Sequence, residues 1–85
     1  MCDKAINMRV IGEIEHPEVK ITVFHWNNKY LVKFERGMLE QTYKFSEFDI
    51  SSEGEIKELI DAPFISKVLT RFSEMGKDHA ALLDY

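Results

Sequence analysis

The stretch Ile21–Glu35, ITVFHWNNKYLVKFE, decides the fold of this chain. Before its two asparagines, Val19, Ile21, Val23 and His25 fall on one side and Lys20, Thr22, Phe24 and Trp26 on the other. After them, Tyr30, Val32 and Phe34 alternate with Lys29, Leu31, Lys33 and Glu35. A period of two marks strands with one buried face. Asn27 and Asn28 tolerate the positive φ that a two-residue hairpin turn demands. Such a turn sets Trp26 against Lys29, His25 against Tyr30, Val23 against Val32 and Ile21 against Phe34, so apolar side chains meet across the pair.

Toward the N-terminus the even positions Ile6, Met8, Val10, Gly12 and Ile14 form an apolar face, and Asn7, Arg9, Glu13 and Glu15 a polar one. Ile11 is the exception on the polar side. The EHPE segment breaks this run, because Pro17 has no amide proton and restricts His16 before it. Toward the C-terminus a second turn at Arg36–Gly37 pairs Phe34 with Leu39, Tyr30 with Tyr43 and Lys33 with Glu40. Arginine at positive φ is strained, so a bulged loop stays open there. Leu39, Gln41, Tyr43 and Phe45 then oppose Met38, Glu40, Thr42 and Lys44. Strands are expected at 5–15, 19–26, 29–35 and 39–46, joined as an antiparallel meander with one continuous apolar face.

Two helices follow to cover that face. Ser52 with Glu55 three residues later has the spacing of a capping box, and Ile56, Leu59 and Ile60 make 53–61 amphipathic. Asp61 caps a second helix with Pro63 in its first turn, where a missing N–H costs little. Phe64, Ile65, Val68, Leu69, Phe72 and Met75 repeat at three and four, which predicts a helix over 62–75. A break at Gly76 is favoured, with an extension to 83 through His79, Leu82 and Leu83 as the alternative. The fold class is α+β, a single domain with a four-stranded antiparallel meander and C-terminal helices packed on one face (ββββαα).

The outer face poses the functional question. Phe24 and Trp26 stand where a sheet should meet water, and the expected register puts Phe24 beside Leu31 with Arg9 and Ile11 adjacent. An apolar centre framed by charge is the anatomy of a protein interface, so Arg9, Ile11, Phe24, Trp26 and Leu31 are the candidate interface of a homodimer or of a contact with another protein. The competing reading is that long stems such as those of Arg9 and Lys29 cover the rings with no partner present. A second candidate is a small-molecule pocket between sheet and helices near His25, Tyr30, Tyr43 and Phe72. Dimerisation through the terminal stripe of Leu82, Leu83 and Tyr85, or through edge strands, is a further possibility.

Other function classes are disfavoured by composition. A net charge of −4 opposes general nucleic-acid binding, and the outer-face cations are offset by Glu13, Glu35 and Glu40. His16, His25 and His79 are scattered without metal-ligand spacing, and no nucleophile is placed beside a base, so neither catalysis, nor a metal, nor a cofactor is expected. Cys2 is the lone cysteine and reads as a solvated terminal thiol. With 45% hydrophobic and 31% charged residues, and no run long enough for a membrane span or signal segment, the expectation is a cytoplasmic protein with no membrane partner. An 85-residue chain has a marginal core, which a second copy would reinforce.

The segments KYLVKFERGMLEQTYKF and IKELIDAPFISKVLTRFSEM resemble a family of short uncharacterised α+β proteins from Bacteroidetes, over about Ile21 to Met75. The resemblance implies the fold, the small size and self-association. It implies no activity and carries over no functional residue.

Overall fold

The computed structural model describes residues 9–83. The elements are β1 (Arg9–Ile14), β2 (Lys20–Trp26), β3 (Lys29–Arg36), β4 (Leu39–Ser46), α1 (Glu53–Leu59) and α2 (Ala62–Leu83). The strands pair in chain order as one antiparallel sheet, and strands then helices make the α+β ββββαα architecture. The expected Ile6, Asn7 and Met8 of the first strand, like Cys2 and Tyr85, lie outside the described residues.

The central hairpin has the register its alternation dictates, from Lys20 opposite Glu35 to Trp26 opposite Lys29. Asn27 and Asn28 take φ of 54° and 63°, as a type I′ turn requires. The next turn differs from expectation. Its central residues are Gly37 and Met38, with Arg36 opposite Leu39, Phe34 opposite Gln41, Val32 opposite Tyr43 and Tyr30 opposite Phe45. Gly37 takes the positive φ of 61° as the first loop residue, which relieves arginine of that conformation. The register slides by two residues, so each side chain keeps its face and changes its neighbours.

The first strand holds a second correction. The β1–β2 register breaks between Val10 and Gly12, and Ile11 is the extra residue of a β-bulge. Before the bulge, Arg9 stands opposite His25 and Val10 opposite Phe24, which inverts both relative to expectation. Ile11 packs against the core, and after it Glu13 and Ile14 return to the expected alternation.

Val19 just ahead of β2 and Ile21, Val23, Val32 and Phe34 from the sheet meet Ile50, Ile56, Ile60, Ile65, Val68 and Phe72 in one buried cluster. Burial of such side chains contributes roughly 1.5–3 kcal/mol each. Asp61 Oδ1 accepts the Phe64 amide at 3.0 Å, capping α2 as expected. At α1 the glutamate reaches one residue further back than a capping box would take it. Glu55 Oε1 accepts from the Ser51 amide at 2.6 Å and the Ser51 hydroxyl at 2.8 Å. Those bonds, the amide first, hold the Glu55 carboxyl below its ordinary pKa. The helix α2 runs unbroken through Gly76 to Leu83, so the favoured break is absent. A Cβ on Gly76 would lie 3.9 Å from Leu39 Cδ1, and the small residue lies at the point where the helix approaches the start of β4.

Candidate functional site

On the outer face, Leu31 is buried at 6% exposure and Thr22 at 5%, although the helices pack on the opposite side. Leu31 has Phe24 and Lys44 as cross-strand neighbours, and Lys33 Nζ sits 5.4 Å from the centroid of the Phe24 ring. Phe24, Trp26, Lys29, Lys33 and Glu35 are all half-buried. The rings and amphipathic stems therefore shield one another, with a cation–π contact at their centre. Of the expected interface residues, Phe24, Trp26 and Leu31 share this face. Arg9 and Ile11 do not join them, because the bulge carries Arg9 opposite His25 and Ile11 onto the core. Val10 takes the place beside Phe24 and is 59% exposed.

The expected pocket residues are separated. His25 and Tyr30 lie with ring centroids 5.0 Å apart, next to the asparagine turn. Tyr43 stands further along the sheet, edge-on to Phe34 at 5.8 Å and to Phe64 at 5.3 Å. Its hydroxyl donates to Gln41 Oε1 at 2.8 Å and accepts from Arg71 Nη1 at 3.0 Å. Phe72 is enclosed in the core. The two-residue slide of β4 explains the separation, since it places Phe45 rather than Tyr43 opposite Tyr30. Two depressions in the described surface lie elsewhere. One, open and about 820 Å³, is lined by Ile14, Val19, Ile21, Glu35 and Arg36 among others; a smaller one of about 180 Å³ lies between Ile11, Val23 and α1.

The alternation of the strands gave no hint of Glu47. Its Oε1 is 3.0 Å from His25 Nε2, and its amide donates to the Asn28 carbonyl at 3.2 Å. The available signal was the β4 register, which once slid by two residues extends the strand toward the asparagine turn. The His25 imidazole and the Glu47 carboxylate anchor the β4–α1 connection to β2. Among the described residues no group of His, Cys, Asp or Glu side chains has the arrangement of a metal site, and no helix is long and apolar enough to cross a membrane.

A third set of side chains belongs to neither face. Met38 is 87% exposed, Phe48 90% and Leu82 81%. Their placement follows from how α2 crosses β4. Phe64 meets Tyr43, Gln41 Nε2 donates to the Val68 carbonyl at 3.0 Å, and Gly76 approaches Leu39, so the helix runs antiparallel to the strand. Residues 77–83 continue for roughly 10 Å past the turn that carries Met38. Phe48 sits at the other end of β4, where the Ser46 hydroxyl accepts its amide at 3.2 Å.

The chain matches no family model, no curated protein and no solved structure.

Proposed function

We propose that this chain is a small non-catalytic domain of the cytoplasm that works through protein contact, foremost with a second copy of itself. The observation that carries this reading is the exposure of Met38, Phe48 and Leu82 at 87, 90 and 81%, at the two ends of one strand and on the helix that overhangs it. Large apolar side chains left outside the core gain most from being covered by another protein surface. Self-association would also enlarge the marginal core of a short chain. The outer face is a weaker candidate, since Leu31 is already buried there and Lys33 already covers Phe24.

Sedimentation velocity over a wide concentration range tests the reading. The wild type is expected to shift from monomer to dimer as concentration rises, and Phe48→Ser with Leu82→Ser to remain nearer the monomer while keeping the wild-type circular dichroism. Trp26→Lys should leave the dimer intact. A wild type that stays monomeric into the millimolar range would overturn the proposal.

A further inference from the structure

We infer that the surface of self-association is the edge of β4, which pairs antiparallel with β4 of a second copy about a twofold axis at Thr42. The inference rests on the self-association proposed above and specifies where it occurs.

The two-residue turn at Gly37–Met38 makes Arg36 and Leu39 the closing pair of the β3–β4 hairpin. A turn of this length closes on a hydrogen-bonded pair, so Leu39, Gln41, Tyr43 and Phe45 direct their backbone groups at β3. Glu40, Thr42 and Lys44 direct theirs outward. All three residues are exposed, and among the described residues none of their backbone groups has a partner outside the sheet. The strand runs for 8 residues without a register break. It is a regular edge of the kind another strand can extend.

Charges on an edge ordinarily hold other strands away. Here their spacing has the opposite effect for one partner. When β4 is reversed about Thr42, Glu40 meets Lys44 of the second copy and Lys44 meets its Glu40, each pair exchanging backbone hydrogen bonds. On the helix side the same register sets Leu39 against Phe45 and Gln41 against Tyr43. A contact of this kind uses the same patch twice and closes as a dimer. The monomer leaves Glu40 in an unfavourable setting, directly opposite Glu35 in the β3–β4 ladder, and like charges so placed are destabilising. Among the described residues Glu40 has no ion-pair partner, and Lys44 of a second copy supplies one. Extending the register one step sets Met38 against Ser46, so Phe48 of each copy arrives beside the β3–β4 turn of the other, at the end where α2 overhangs. Dimerisation then gathers the exposed Met38, Phe48 and Leu82 at the two ends of one interface.

The test is a charge swap read by sedimentation equilibrium. Glu40→Lys and Lys44→Glu are each expected to weaken the dimer roughly tenfold, since each turns both symmetric pairs repulsive. Combining Glu40→Lys with Lys44→Glu should restore wild-type affinity, because the swapped pairs are again complementary. Thr42→Pro, which removes the central amide, should give a monomer. Circular dichroism on every variant establishes that it is folded, and the charge variants carry the test if the proline variant is not. A wild-type dimer whose affinity is unmoved by either single reversal would overturn the β4 edge and leave self-association standing. A wild type without a dimer would remove both.

Discussion

The two edges of this sheet are built differently. On β1 the extra residue Ile11 breaks the register between Val10 and Gly12, and the bulge turns that isoleucine onto the core. On β4 the ladder runs without interruption from Leu39 to Ser46, and its outward residues Glu40, Thr42 and Lys44 are exposed. A bulge bends an edge and disrupts the row of groups another strand would need. An uninterrupted edge is guarded by its charges alone, and against its own reversed copy those charges attract. The sheet thus has one edge closed by geometry and one closed selectively by charge.

The largest perturbation removes both edges together. Val32 is wholly buried between the central strands and the helices, so Val32→Asp places an unpaired charge in the core at a cost of several kcal/mol. Circular dichroism should show an unfolded chain; a stable folded variant would invert the assignment of faces. A smaller effect is expected where β4 is tied to its helix. Gln41 donates to the Val68 carbonyl and accepts from Tyr43, and Gln41→Leu should cost about 1–3 kcal/mol in urea unfolding by removing both bonds.

The bulged edge offers a sharper contrast between neighbours. Ile11→Ala should destabilise by about 1–2 kcal/mol, less than a fully enclosed isoleucine loses, whereas Val10→Ala should fall within about 0.5 kcal/mol. Equal losses at the two positions in thermal unfolding would contradict the bulge.

The reach of the sequence differs along the chain for reasons these residues make plain. Alternation around Asn27–Asn28 specified the central register because turn chemistry and hydrophobic pattern agreed there. At the next turn they were ambiguous, since a slide by two residues leaves every face unchanged and alternation cannot detect it. The expected pairing of Tyr30 with Tyr43 was lost to that slide, and the pocket with it. The strain foreseen for Arg36 at positive φ was the one sign that Gly37 should come first in the loop. In β1, Ile11 on a polar face was the corresponding sign of a bulge, and the expected places of Arg9, Val10 and Ile11 turned on it. The helix signals at Asp61 and Pro63 were local and sufficient, while Gly76 read as a stop because its closeness to Leu39 is a tertiary fact. Phe48 lies in a turn, where no periodicity exists to place its side chain, so alternation is silent on its exposure. The burial of Leu31 beneath its neighbours likewise depends on side-chain reach across three strands.

The smallest effect lies outside the sheet. The Ser51 amide and hydroxyl lower the pKa of Glu55 in the folded chain, so its contribution is complete above the ordinary carboxylate range and is lost as pH falls through the lowered value. Glu55→Gln should therefore lower the melting temperature slightly at neutral pH and not at all in strong acid. A difference that persists unchanged into acid would mean that packing, rather than the carboxylate, is responsible.

The most direct measurement is amide hydrogen exchange by NMR, residue by residue, at a dilute and a concentrated protein level. Pairing through β4 predicts that the amides of Glu40, Thr42 and Lys44 exchange quickly when dilute and become protected when concentrated, while the amides of β1 and of the outer-face residues Phe24 and Leu31 keep the same protection at both levels. Unchanged exchange at Glu40, Thr42 and Lys44 in a sample shown to be dimeric would contradict the β4 edge as the meeting surface.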